Sequence, residues 1–213
     1  MGRPHLTIVC GVPGSGKSTF ALRAADRWGA ISFASETFAE ELGAAARTAS
    51  GDLSKQAIAH AYTSMGAAAT GALATNKLVV AVGSFRSEEL RSRFRSIAKN
   101  AGAEVTAVRI VCSAETAAER IRARFAFGER GPNQETISQI AAELDQASDI
   151  DIMLTNKLSL ECFYQKIDAV MPILVSGSEN EAPGVDMARR LEQLGMDGIA
   201  VADKFLDAKM SHA

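Results

Sequence analysis

The 213-residue chain has little of several things, and each shortage narrows its function. No apolar run approaches the roughly 18 to 20 residues needed to cross a bilayer. Met1-Gly2-Arg3-Pro4-His5 leads straight into a short strand-like run, without the long apolar stretch and cleavage site of a secretory leader, so a cytoplasmic location is expected. Cysteine is scarce: Cys10, Cys112 and Cys162 are odd in number, far apart and without metal-ligand spacing. They exclude a disulfide framework and read as buried reduced thiols. His5, His60 and His212 are equally scattered, so no metal cage built by the protein is expected. Aromatics are only 6% of the chain, which leaves no stacking platform for single-stranded nucleic acid. Charge of one sign is lacking too. Twenty-three basic against 25 acidic residues, net −2, give no general pull on a polyanion. What remains is 47% hydrophobic and 23% charged, enough for one well-buried core and too apolar for disorder.

The apolar pattern then alternates between strand and helix. Leu6 to Cys10, Ala30 to Ala34, Leu78 to Val82, Glu104 to Val111 and Ile150 to Leu154 read as short strands buried on both faces. Helical spacing fills the intervals. One helix spans Thr19 to Trp28 and stops at Gly29. An alanine-rich stretch from Glu36 to about Asn76 breaks near Ser50-Gly51-Asp52, with Ser54 as a cap for its second part. Further helices run over Ser87 to Lys99, over Ala114 to about Phe127 behind a Ser113 cap, over Glu135 to Ala147 and over Leu160 to Met171. Such alternation implies an α/β fold, a five-stranded parallel sheet with helices on both faces. Residues 1–171 form this nucleotide-binding domain. Residues 172–213 read as its helical C-terminal extension, with a short strand at Ile173 to Val175 and helices over Val185 to Leu194 and Ile199 to Lys209.

The first strand runs into Gly11-Val12-Pro13-Gly14-Ser15-Gly16-Lys17-Ser18, which fits G-x-x-x-x-G-K-[ST]. Its glycines let successive N–H groups turn inward on phosphate oxygens, and the helix that follows adds its positive end. Lys17 is expected to reach the β/γ phosphates and Ser18 to offer its hydroxyl to Mg²⁺, with ATP as the nucleotide. Gly11, Pro13, Gly14, Ser15, Gly16, Lys17, Ser18 and Thr19 are the candidate nucleotide-binding set. The pattern occurs by chance in about 1% of chains this size, but here strand and helix flank it as the chemistry requires.

The stretch Gly11 to Thr19 resembles the phosphate loop of small P-loop kinases, a group that includes gluconate, shikimate and polynucleotide kinases, chloramphenicol phosphotransferase and zeta toxins. The similarity extends over roughly residues 5 to 170. An acidic residue, Glu36, follows the second strand; Val79 to Phe85 precede Arg91 and Ile97-Ala98; and Glu115, Arg120 and Arg124 fit E-x-x-x-x-R-x-x-x-R. The resemblance implies a P-loop NTPase fold with strand order 2-3-1-4-5, and a kinase moving the γ-phosphoryl group of ATP to a hydroxyl. In that reading Glu36 engages the acceptor hydroxyl, while Arg120, Arg124 and the loop residue Arg130 close over the transferring group. Two departures stand out. Many relatives end the third strand in Asp, where this chain has Val82-Gly83-Ser84, and relatives usually carry Asp where this chain has Glu36.

Each candidate has a plainer reading. Glu36 also suits the dipole at a helix start. Arg120 and Arg124, spaced i and i+4, could pair with surface glutamates, and Arg122 points elsewhere. Arg86, Arg91, Arg93 and Arg95 make their helix basic and could bind an acidic acceptor or a nucleic acid phosphate, but the run reads first as a solvated face balanced by Glu88 and Glu89. Glu40 and Glu41 read as solvated, and Tyr62 and Met65 as core. A small-molecule hydroxyl acceptor is expected, in a pocket between Glu36 and Tyr62. The alternatives are a non-catalytic nucleotide-binding module, suggested by Val82, and a kinase acting on a nucleic acid end or a sugar-nucleotide.

Overall fold

The computed structural model describes residues 3–75, 78–125, 132–157, 159–175 and 199–201. Strand β1 (His5–Cys10) lies at the centre of the sheet because every one of its residues is buried, leaving no face for water. Its side chains alternate. Leu6, Ile8 and Cys10 enter a core with Met65 and Phe94, whereas Val9 enters a second core with Phe20, Phe163 and Val170. Helices α3 (Lys55–Thr75), α4 (Glu88–Asn100) and α6 (Gln134–Asp145) cover the first side. Helices α1 (Lys17–Trp28) and α7 (Leu160–Val175) cover the other.

The remaining strands are β2 (Ile31–Ala34), β3 (Leu78–Val82), β4 (Glu104–Val111), β5 (Ile152–Thr155) and β6 (Ile199–Val201). Their order is β2-β3-β1-β4-β5-β6, and the first five are parallel. The order 2-3-1-4-5 is therefore the one expected. The sixth strand is not: it pairs antiparallel with β5, Ile152 opposite Val201 and Leu154 opposite Ile199. Ile199 to Val201 thus extends the sheet instead of opening a helix, as a short apolar segment with two β-branched residues beside an open edge can. The expected helix over Val185 to Leu194 and the rest of that over Ile199 to Lys209 lie outside the described residues.

A second correction concerns Ile173 to Val175. Helix α7 continues through Pro172 to Val175, so no strand forms there. Leu174 is buried in the second core, and that packing overrides the helix-breaking tendency of proline.

Local signals worked where they were short-range. Gly29, at φ 65°, terminates α1 with its N–H on the Ala24 and Ala25 carbonyls. Ser54 Oγ accepts the Ala57 N–H at 3.1 Å and Ser113 Oγ the Thr116 N–H at 3.1 Å. The alanine-rich stretch resolves into α2 (Ser35–Glu40), a 3-10 turn (Gly43–Ala46) and α3, with a tight loop closed by the Arg47–Leu53 bridge. Helix α5 is Ala114–Phe125. The parallel order brings the C-terminal ends of β1, β2 and β3 to one side, where a crevice opens.

Candidate active site

The loop between β1 and α1 can be built only from glycine at its turning points. Gly11, Gly14 and Gly16 have φ of 150°, 80° and 109°. A Cβ on Gly11 would stand 2.6 Å from the Ile110 carbonyl, and one on Gly14 2.7 Å from that of Ala117. A Cβ on Gly16 would collide with the Asn156 amide. No side chain caps α1, so the orphan N–H groups of its first turn are free to face a ligand. Ser15 Oγ is buried and without a hydrogen-bond partner among the described residues. Together these make a cradle of donors that fits an oxyanion chain.

Lys17 folds back over this cradle, donating from Nζ to the carbonyls of Gly11 (3.0 Å) and Val12 (2.8 Å). Burial lowers its pKa to about 8, against the upward pull of Glu36, while Arg124 pushes further down. Ser18 is exposed at the same mouth, and Thr19 is half-buried behind it. Pro13, Gly14, Gly16, Lys17 and Ser18 line one end of a cleft of about 330 Å³.

Helices α2 and α3 supply the facing wall. Glu36, in the first turn of α2, lines the cleft and is 59% exposed, as befits a strand-end carboxylate. It is also held: Arg47 Nη2 donates to Glu36 Oε1 at 3.0 Å and to Glu40 Oε1 at 3.5 Å, and Nη1 to the Gly51 carbonyl at 3.0 Å. Glu40 and Glu41 are exposed, as a solvated face requires, and pair there with Arg47 and with His60 at 3.0 Å. Asp52 crosses the cleft mouth, accepting from Asn133 N at 3.3 Å and Asn133 Nδ2 at 3.2 Å.

The two arginines of α5 part company. Arg124 is exposed and lines the cleft. Arg120 instead donates to the Gly14 carbonyl (3.2 Å) and to Asn156 Oδ1 (3.3 Å), on the flank of the glycine loop. Arg122 turns back onto the Ala118 carbonyl, and Arg130 lies outside the described residues.

Val82 closes β3 as a buried side chain, and hydroxyls gather beyond it. Tyr62 Oη accepts the Phe85 N–H at 2.9 Å and lies 3.2 Å from Ser84 Oγ. Burial raises its pKa, and hydrogen bonds from Ser84, Phe85 and Ser35 partly offset this. Phe85 holds φ 43°, the single positive-φ residue other than glycine among the described residues. Tyr62 is therefore core in its ring and site in its hydroxyl; Met65 is core alone.

The basic helix α4 does not present a charged face as a whole. Arg91 is 2% exposed, donating to Asp149 through Nε (2.9 Å) and to the Phe85 carbonyl through Nη1 (2.6 Å). Arg95 reaches Asp151 at 2.8 Å. The solvated-face reading fails for both, because Asp149 and Asp151 follow α6 and arrive from far along the chain. Arg86 lines the cleft and Arg93 stays exposed. Of the cysteines Cys10 is buried, with its thiol pushed up to about 12 by burial, while Cys112 and Cys162 are only half-buried.

Asn156 is the support of the glycine loop that sequence reasoning missed. Its Nδ2 donates to the Ser15 carbonyl at 2.7 Å, its Oδ1 receives Arg120, and it is 5% exposed. It ties the glycine loop to the end of β5. The one available signal was its place directly after a strand that reaches the crevice.

A glycine loop, a lysine folded over it and a crevice at strand ends define a P-loop protein with the architecture of the small kinases. The family AAA_33, described as an AAA domain, matches residues 6–147, and the chain belongs to it. No curated protein sequence matches. Among solved structures, the APS kinase CysC of Mycobacterium tuberculosis, in complex with AMPPNP and APS, is similar over 81% of this chain and 99% of its own, at 18% identity and TM-score 0.58. A gluconokinase from Sinorhizobium meliloti is similar over 92% and 98%, at 18% identity and TM-score 0.55. A chain of the Pnkp1/Rnl/Hen1 RNA repair complex is similar over 68% and 45%, at 17% identity and TM-score 0.58. At such identities the likeness is one of fold.

Proposed function

We propose that the protein is an ATP-dependent phosphotransferase that moves the γ-phosphoryl group to a hydroxyl of a small molecule. The observation that carries this reading is the continuity of one cleft from the glycine cradle, with Lys17, to a second wall bearing Glu36. The amides from Gly14 to Thr19 bind the triphosphate, and Lys17 exchanges its two loop carbonyls for phosphate oxygens. Ser18, exposed at the cleft, would hold Mg²⁺ through its hydroxyl. A magnesium ion held there would supply neutralisation of the phosphate charge. Glu36, kept in place by Arg47, orients the acceptor hydroxyl and takes its proton. Arg124 faces the transferring group, and Arg120 steadies the loop from its flank.

The test is transfer of labelled phosphate from ATP across a panel of small alcohols. Activity is expected with the wild type and a loss of at least about 100-fold with Lys17→Ala, the size of a removed transition-state charge contact. Tight MgATP binding with no transfer or hydrolysis would overturn the enzyme reading. Val82 favours the second reading, a non-catalytic nucleotide-binding module, since β3 brings no carboxylate to the metal. For such a module, MgATP changes the elution volume in size exclusion without turnover. A nucleic acid acceptor gains little from α4, whose Arg91 and Arg95 are spent on Asp149 and Asp151, leaving Arg93 as its exposed arginine. No helix among the described residues is long and apolar enough to cross a membrane.

A further inference from the structure

The cleft carries more positive charge than its nucleotide end uses. Lys17, Arg47, Lys55, Arg86 and Arg124 line it, against the carboxylates of Glu36 and Asp52. Glu36 is spent on Arg47, and Asp52 on the N–H groups of Asn133. Lys17 and Arg124 face the phosphate loop. Two cations are left at the acceptor end. Lys55, in the first turn of α3, has no hydrogen-bond or ion-pair partner among the described residues, and Arg86, ahead of α4, has one ion pair, at 3.4 Å with Glu143 of α6, a carboxylate that does not line the cleft. Leu53, Ile58 and Leu90 add apolar side chains to the same lining. Positive groups converging on a partly enclosed, largely apolar space attract an anion more strongly than the same groups on an open surface.

We infer that the acceptor is an amphiphilic small molecule bearing an oxyanion head, a phosphate, sulfate or carboxylate, at the end opposite its reacting hydroxyl. This rests on the phosphotransferase reading above. The head pairs with Lys55 and Arg86, the apolar body lies against Leu53, Ile58 and Leu90, and the hydroxyl reaches Glu36. Arg86 offers a planar fork of donors suited to a two-oxygen grip, and Lys55 a point charge reinforced by the start of α3. An uncharged polyol would leave Lys55 without a counter-charge and Arg86 with Glu143 alone, and would place its hydroxyls on apolar side chains.

The experiment is calorimetric titration of the full chain saturated with AMPPNP and Mg²⁺. The probes share one six-carbon body and one terminal hydroxyl: 6-hydroxyhexyl phosphate, 6-hydroxyhexyl sulfate, 6-hydroxyhexanoate and 1,6-hexanediol. At least one anionic probe is expected to bind about tenfold or more tighter than the diol, and the three heads distinguish which oxyanion is preferred. The double variant Lys55→Ala, Arg86→Ala is expected to lose that preference while keeping AMPPNP affinity within about twofold. Arg93→Ala, on α4 outside the cleft, serves as the charge control and should keep the preference. Equal or tighter binding of the diol, or a preference that survives the double variant, overturns the inference. Absence of AMPPNP binding in the first step instead overturns the nucleotide reading, so the two failures are told apart.

Discussion

Lys17 is an unusual lysine. Most lysines titrate near their ordinary value of 10.5, whereas burial brings this amine down to about 8, within reach of neutral pH. In the free protein it is thus part-deprotonated at pH 8, and phosphate oxygens drawn close to it restore the proton. Binding of ATP should therefore take up protons around pH 8, and affinity should fall as the pH rises above that point. Calorimetry in buffers of different ionisation enthalpy at pH 8 reads the uptake directly; a value of zero contradicts it. The sign for folding runs the other way from a salt-bridged lysine. The unfolded chain holds this proton up to about 10.5, so the folded, nucleotide-free protein gains stability as pH rises from about 8 toward that value. Arg91 stands at the opposite extreme, a cation fully paired inside the fold. Arg91→Ala leaves Asp149 without its partner and the Phe85 carbonyl without its donor, and is expected to cost about 3–5 kcal/mol in urea denaturation.

Elements set where such residues meet, and the sequence was readable in proportion to the distance each element's signal spans. Strands β3 and β4 were legible to the residue, because a run of buried β-branched side chains and its bounding turns lie within a few positions of one another. The caps Ser54 and Ser113 were legible for the same reason, and so was the glycine loop with Lys17. Illegible were the ties between distant elements: Asn156 to Ser15, Arg91 to Asp149, Tyr62 to Phe85. No local pattern records a partner that only the sheet order brings near. The glycine loop rests on one of these ties. Gly16→Ala puts a methyl group against the Asn156 amide at a φ that alanine avoids, whereas Asn156→Ala removes a buried bond and leaves the loop backbone free to move. Asn156→Ala should weaken AMPPNP binding about tenfold through the Ser15 carbonyl it releases, with a stability loss of about 1–3 kcal/mol. Unchanged AMPPNP affinity in a folded Asn156→Ala protein would show that the loop holds its shape unaided.

At the scale of the whole molecule, the sheet divides two cores and delivers three strand ends to one cleft, but the cleft's walls belong to segments far apart in the chain. The loop at 47–53 hangs from α2 and α3; the start of α6 leaves the opposite side. Asp52 joins them. Its carboxylate accepts both N–H groups of Asn133, which itself caps α6 by accepting the Thr136 N–H at 2.8 Å. These bonds lie at the surface, and Asp52 has Ser50 and Arg47 nearby that also favour its charged form, so its pKa is lowered despite partial burial. The clasp is therefore fully formed at neutral pH and is lost as pH falls through the depressed carboxyl value. Exposed contacts of this kind contribute under about 1 kcal/mol, so Asp52→Ala should hardly shift the global unfolding midpoint. It should, however, free the 47–53 loop from α6. Hydrogen exchange at residues 48–54 is expected to quicken severalfold in the variant, while amides of β1 and β3 keep their protection, because sub-global opening depends on local contacts and not on the stability of the sheet. If the loop exchanged at the wild-type rate, the Arg47–Leu53 bridge and the Arg47 contacts with Glu36 and Glu40 would suffice to hold that wall, and the two sides of the cleft would be independent of each other.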